Sequence, residues 1–186
     1  MLDTLKGGSN YTDDILLVNK LVYRTPWWEP KAGDIVVFKP PEQALDPWQD
    51  RRTDFVKRLI GTPGQLVEIE NSMLKRDGKE TPEPYVKDEE IGDFKLVKYN
   101  GRLISLMRNR SGVTNPMPSS YPIPFADEDE VWALPAEPIP DGHYLMLGDN
   151  RNYSRDGRYW GLIKRDQIVG RAFIIVYPPS RWGRPN

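Results

Sequence analysis

Three observations predict a mostly β fold. Eighteen prolines and fifteen glycines punctuate the 186 residues too often for long helices. Short runs rich in Val, Ile, Leu, Phe and Tyr recur between them. Several of these runs are continuously apolar, as expected of strands covered on both faces or folded into a closed barrel. The clearest strands are Ile15 to Asn19, Asp34 to Phe38, Asp54 to Ile60, Gln65 to Glu70, Tyr144 to Leu147 and Gly170 to Tyr177. Ser72, beside Met73 and Leu74, reads as a turn between strands. From Leu74 to Ala136 the character changes to Lys, Glu, Asp, Pro and Asn, with weaker strands around Phe94 to Lys98 and Arg102 to Leu106. That stretch reads as an insertion, and Asn115 to Phe125, with four prolines and two serines, as an irregular surface loop.

Composition narrows the function. The length suits one domain with a modest insertion. Twenty-six basic and 27 acidic residues are interspersed to a formal charge of -1, which offers no basic face to phosphate backbones, so nucleic acid is not an expected partner. Without cysteine there is no disulfide, thiolate metal site or thiol nucleophile. The lone histidine, His143, follows turn-forming Gly142 and opens an apolar strand, a poor place for a Ser-His-Asp triad. No stretch approaches the roughly 20 apolar residues that span a bilayer. The pair Trp27-Trp28, framed by Pro26 and Pro30, reads as a loop tip suited to a lipid–water interface, against core packing as the ordinary place for tryptophan.

Two segments could carry chemistry. In Asp54-Phe55-Val56-Lys57-Arg58-Leu59-Ile60, alternation puts Lys57 on the face of Phe55 and Leu59. Such a lysine either snorkels its ammonium to water or is held dry. Held dry, its charged form is disfavoured and a neutral amine becomes available as a general base, as in Ser-Lys hydrolases. The second segment, Gly148-Asp149-Asn150-Arg151-Asn152-Tyr153-Ser154-Arg155-Asp156-Gly157-Arg158, follows an apolar strand and reads as a structured turn. Its plainer reading is an Asx-rich loop whose carboxylates satisfy backbone donors and arginines. Calcium on Asp149, Asn150 and Asp156 is disfavoured by a spacing unlike the EF-hand and by three arginines in the loop. No metal or cofactor is expected.

Taken together, Gly33 to Phe38, Phe55 to Gly64 and Gly148 to Gly161 resemble, in order and spacing, the characteristic boxes of type I signal peptidases. Asp14 to Lys20 looks like the strand that precedes them. The resemblance implies a β core of the kind shared with self-cleaving repressors, a partly closed barrel of antiparallel sheets. Residues 1–73 and 137–186 would form this core, and 74–136 the family's variable insertion. It implies Lys57 as general base, Ser154 orienting its amine, and Arg58, Asp149, Asp156 and Arg158 as support. Met1, Leu5, Phe55 and Val56 would line shallow pockets for Ala-x-Ala-like sites in signal-peptide-bearing preproteins. A membrane surface is the other implied partner, with the catalytic region on its extracytoplasmic face and an anchor in the full-length protein.

The match breaks at the nucleophile. The family motif is Ser-Met-x-Pro-Thr-Leu, whereas this chain opens Met1-Leu2-Asp3-Thr4-Leu5, so the catalytic serine would directly precede Met1 and Asp3 stands for the usual proline. Ser9, in Gly7-Gly8-Ser9-Asn10, reads as linker rather than substitute. Truncation at an internal methionine is the expected cause, which leaves the chain as written inactive. The other readings are a catalytically empty paralogue that binds extended peptides, and a related Ser-Lys protease such as a self-cleaving repressor or a pilus maturation peptidase.

Overall fold

The computed structural model describes residues 4–5, 13–23, 27–87, 90–109, 111–117 and 128–185, and in them the chain forms two six-stranded antiparallel sheets. The first sheet runs in the order β1 (Ile15–Asn19), β12 (Ile168–Tyr177), β2 (Ile35–Phe38), β3 (Phe55–Gly61), β10 (His143–Leu147), β11 (Ile163–Lys164). The second runs β6 (Lys79–Glu80), β5 (Met73–Arg76), β4 (Val67–Glu70), β7 (Asp93–Tyr99), β8 (Arg102–Arg108), β9 (Thr114–Met117). Both sheets keep two edges among the described residues, so neither closes into a barrel.

The continuous apolar runs of β2 and β10 are explained by burial on both faces of the first sheet. Val36 and Phe38 of β2, Leu59 of β3 and Tyr144 and Met146 of β10 enter one cluster with Trp160. Their alternate neighbours face the other way: Ile35 and Val37 pack with Ala172 and Ile175, while Ile60, Leu145 and Leu147 meet the second sheet. That sheet presents Val67, Ile69, Leu74, Phe94 and Leu96 to them. Its opposite side is covered at Val97, Ile104 and Leu106 by Val131 of α1 (Glu128–Trp132). β12 comes close beside β1 because Gly170 has no side chain. A Cβ there would lie 2.6 Å from the Asn19 carbonyl oxygen.

Strands placed from the sequence recur within a few residues of their expected bounds, and Ser72 does lie in a turn, at φ 64°. One expectation is corrected. Asn115 to Met117 is not loop but part of β9, which pairs with Leu106 through Pro116. A proline fits there because β9 is an edge strand and its outer side needs no backbone donor. The rest of the expected loop, from Pro118 to Phe125, lies outside the described residues.

Phe38 has no exposed surface and meets Phe55 edge-on at 6.2 Å and Trp160 at 5.9 Å between ring centroids. Replacing it with alanine leaves a cavity that these rings cannot fill. Phe38→Ala is expected to cost about 3–5 kcal/mol, read as a lower urea midpoint at unchanged slope.

Candidate active site

β3 and β10 converge on the candidate site. Lys57 sits within β3, opposite Val36 of β2, and β10 delivers the chain into the Gly148 to Arg158 loop. That loop folds back so that the Lys57 Nζ donates to Ser154 Oγ at 2.8 Å. Burial pushes the Lys57 pKa below the ordinary lysine value; Asp156 and Asp149 oppose the shift through their charge, and Arg158 adds to it. Gly148 makes the approach possible. A Cβ on it would stand 2.0 Å from Ser154 Oγ and 3.5 Å from Lys57 Nζ.

Two wholly buried aspartates organise the loop. Asp149 accepts from Arg58 Nε at 2.9 Å and Nη2 at 2.8 Å, a bidentate pair, while Arg58 Nη1 donates to the Gly33 carbonyl at 3.0 Å. Asp156 accepts from Arg158 Nε and Nη2 and from the Gly148 amide, and caps the short helix α2 (Gly157–Trp160). Asp149 is thus engaged by a guanidinium, and Asp156 by a guanidinium and backbone donors. The structure therefore brings Lys57, Ser154, Arg58, Asp149, Asp156 and Arg158 into one cluster.

The start of the chain reaches the same cluster. The Thr4 hydroxyl donates to Asp149 Oδ2, and Arg181 Nη2 donates to the Thr4 carbonyl at 2.8 Å. Leu5 is buried in the cluster formed by Ile35, Val37, Ala172 and Ile175, with Val56 packed against it. Phe55 and Val56 are half-buried. Met1 and Ser9 lie outside the described residues.

β3 also has a flank that no described strand covers. On the β10 side its pairing ends at Leu147 opposite Arg58, so Phe55, Val56 and Lys57 have β2 on one side and no described strand on the other. A groove of about 410 Å³ runs along this flank, walled by Ala44, Asp46, Gln49, Asp54 and Arg155.

Residues 6–177 match the model of the family described as "Signal peptidase, peptidase S26". The chain belongs to this signal peptidase family. A similar protein, Probable signal peptidase I-1 of Synechocystis sp., is 33% identical over 184 residues, which cover 99% of this chain and 70% of that one. Signal peptidase IB of Staphylococcus aureus is 33% identical over 179 residues, covering 96% and 74%. A solved signal peptidase I from Enterococcus faecalis V583 covers 77% of this chain and 96% of its own at 25% identity, with a TM-score of 0.46. The family is one of serine-protease hydrolases. Membership supports signal-peptide removal, with signal-peptide-bearing proteins as substrates. No helix among the described residues is long and apolar enough to cross a membrane.

Sequence reasoning missed three members of the cluster: Thr4, Arg151 and Glu83. One signal was available. The loop from Gly148 to Arg158 holds three arginines against two aspartates, so carboxylates from elsewhere had to be expected. They are Glu83, 2.6 Å from Arg151, and Asp46, 2.9 Å from Arg155.

Two outcomes follow from this geometry. Gly148→Ala must push Ser154 off Lys57, at an expected cost of about 1–3 kcal/mol in unfolding experiments. Lys57 binds its proton less tightly folded than unfolded, so its charge opposes folding. This penalty is full below the lowered pKa and relieved as pH rises toward the unfolded lysine value. Lys57→Met is therefore expected to stabilise the fold at neutral pH, with an advantage that shrinks as urea midpoints are followed toward roughly pH 10.

Proposed function

We propose that this chain is the catalytic region of a membrane-associated serine endopeptidase that cleaves signal peptides after Ala-x-Ala-like sites with a Ser/Lys dyad. The observation that carries this reading is the part-buried Lys57 amine, 2.8 Å from Ser154 Oγ, at the point where β3 loses its β10 partner.

By the family resemblance, the nucleophile is a serine joined directly to Met1. Thr4, held to Asp149, anchors the chain four residues beyond that position, within about 14 Å of extended backbone. The substrate adds as a strand along Phe55 to Lys57, taking up the backbone groups that no described strand pairs, while Met1, Leu5, Phe55 and Val56 set the preference for small side chains. The serine oxygen attacks the scissile carbonyl and its proton passes to neutral Lys57 Nζ. The serine's own backbone N–H stabilises the oxyanion. Lys57 then returns the proton to the departing amine, and water clears the acyl-enzyme with Lys57 again as base. Ser154 accepts a hydrogen bond from the Lys57 amine and so fixes its lone pair. Arg58, Asp149, Asp156 and Arg158 hold that geometry. No cofactor enters.

The preproteins would be met at a membrane surface, on the extracytoplasmic side, with residues 74–136 as an accessory insertion. Trp27, Trp28, Leu21 and Trp182 are 86%, 57%, 70% and 71% exposed, and Leu21 and Trp28 line one groove with Phe173, Arg171 and Arg184. Indole and aliphatic groups beside cations suit a lipid headgroup region. The balanced net charge offers nothing comparable to nucleic acid.

The test is to join a serine to Met1 and follow cleavage of an Ala-x-Ala peptide. The 186-residue chain is expected to be inactive and the serine-extended chain active, with Lys57→Met abolishing turnover. Since the base must be neutral, the rate rises with pH through the lowered Lys57 pKa. Tight binding of the intact peptide by the extended chain without turnover supports instead a peptide-binding module. For the membrane, flotation with anionic liposomes is expected to fall when Trp27 and Trp28 are both changed to serine, and unchanged flotation removes that part of the reading.

A further inference from the structure

The segment between β6 and β7 leaves the second sheet and lies against the candidate site, where two of its side chains touch two of the arginines around the Lys57–Ser154 pair, Arg151 and Arg58. The Glu83 carboxylate accepts from Arg151 Nη2 at 2.6 Å and from the Tyr85 hydroxyl at 2.6 Å. The side chains of Arg151 and Glu83 are 1% and 8% exposed, so this ion pair is out of water. The Tyr85 ring lies against the Arg58 guanidinium, whose central carbon is 3.8 Å from the ring centroid. Burial and the neighbouring Glu83 charge push the Tyr85 pKa up, so the hydroxyl keeps its proton as a donor.

From these contacts two short paths lead to Lys57. Arg151 Nε donates to the Gly148 carbonyl at 3.0 Å, and Gly148 is the residue on which Ser154 Oγ rests beside the Lys57 amine. Arg58 follows Lys57 in β3 and carries the bidentate pair to Asp149. Arg151 Nη1 has no hydrogen-bond partner among the described residues, which makes the Glu83 countercharge more important for this guanidinium.

We propose that Glu83 and Tyr85 are positioning residues, a strap from the second sheet that holds the Gly148 loop and Arg58 so that Ser154 and Lys57 stay in register. The proposal rests on the reading of Lys57 as the general base. Without Glu83 the Arg151 guanidinium is left buried and unbalanced, and it relaxes by pulling away from the Gly148 carbonyl. Without the Tyr85 ring, Arg58 loses the packing against its guanidinium. Either change loosens the wall around Lys57 and admits water to its amine.

The test follows Lys57 itself, in the 186-residue chain. Lysine side chains are labelled with 13C and titrated by NMR, the Lys57 signal being assigned by its loss in Lys57→Met. Wild-type Lys57 is expected to titrate below an ordinary lysine. Glu83→Gln and Tyr85→Leu are expected to move its midpoint upward by about one pH unit, as desolvation is relieved, whereas Tyr85→Phe keeps the ring and stays near wild type. A purely structural role would lower the melting temperature and leave the midpoint in place. Midpoints unmoved in folded Glu83→Gln and Tyr85→Leu overturn the strap alone. An ordinary midpoint in the wild type overturns the base reading and the strap with it. If Glu83→Gln does not fold, Tyr85→Leu decides, since it leaves the Glu83–Arg151 pair intact; failure of both to fold makes the segment structural and overturns the proposal.

Discussion

Asp149 has no contact with solvent, and everything around the candidate site answers to that buried charge. A carboxylate taken wholly out of water must be matched in charge and saturated with donors. Arg58 supplies two donors from β3, and Thr4 supplies a third from the start of the chain. Three segments distant in sequence are tied at one carboxylate: residues near 4, near 58 and near 149. Because Arg58 is fixed there, its neighbour Lys57 is fixed in β3, and the loop that Asp149 opens brings Ser154 back over it. An exposed ion pair of the same composition would hold far less firmly.

The loop uses arginine where a lysine would not serve. Arg58 spans Asp149 with two parallel donors and still has a third nitrogen for the Gly33 carbonyl. Arg158 likewise binds both oxygens of Asp156 while donating to the Arg151 carbonyl. A lysine ammonium at either place would meet the charge but not the geometry. Lys57 is the opposite case. Its compact amine on a flexible stem can lose its proton when desolvated, which a guanidinium does not do. The site therefore divides its cations between those that build it and one that can change charge.

How much was legible in the sequence follows the same physics. β2 and β10 were readable because both faces are buried, which demands uninterrupted apolar runs such as Ile35 to Phe38. β5 was not. In Met73-Leu74-Lys75-Arg76 only Leu74 faces the core, and one apolar residue among charges carries no periodic signal. β9 was hidden by its proline and its position at an edge. Lys57 and the Gly148 loop stood out because a lysine among large apolar residues and a cluster of Asx and arginine at a strand end are both unusual. Glu83 and Tyr85 did not, since Thr81-Pro82-Glu83-Pro84-Tyr85 reads as any proline-rich turn. Local sequence shows a residue's type but not which distant charge it balances.

That blind spot bears on why the second sheet sits where it does. Apolar packing through Ile60, Leu145 and Leu147 would hold the two sheets together, yet hydrophobic contact is non-directional and permits small slides. The Glu83–Arg151 pair and the Tyr85 ring over Arg58 do not, because a buried hydrogen-bonded ion pair and a ring against a guanidinium each have one good geometry. They therefore fix the register of the second sheet against the loop, and with it the placement of Ser154 over Lys57. A dry amine also needs a wall on every side that water would otherwise enter. β2 guards one flank of Lys57 and the Gly148 loop another, and the segment carrying Glu83 and Tyr85 braces that loop from behind. The flank of β3 past Leu147 has no described strand beside it.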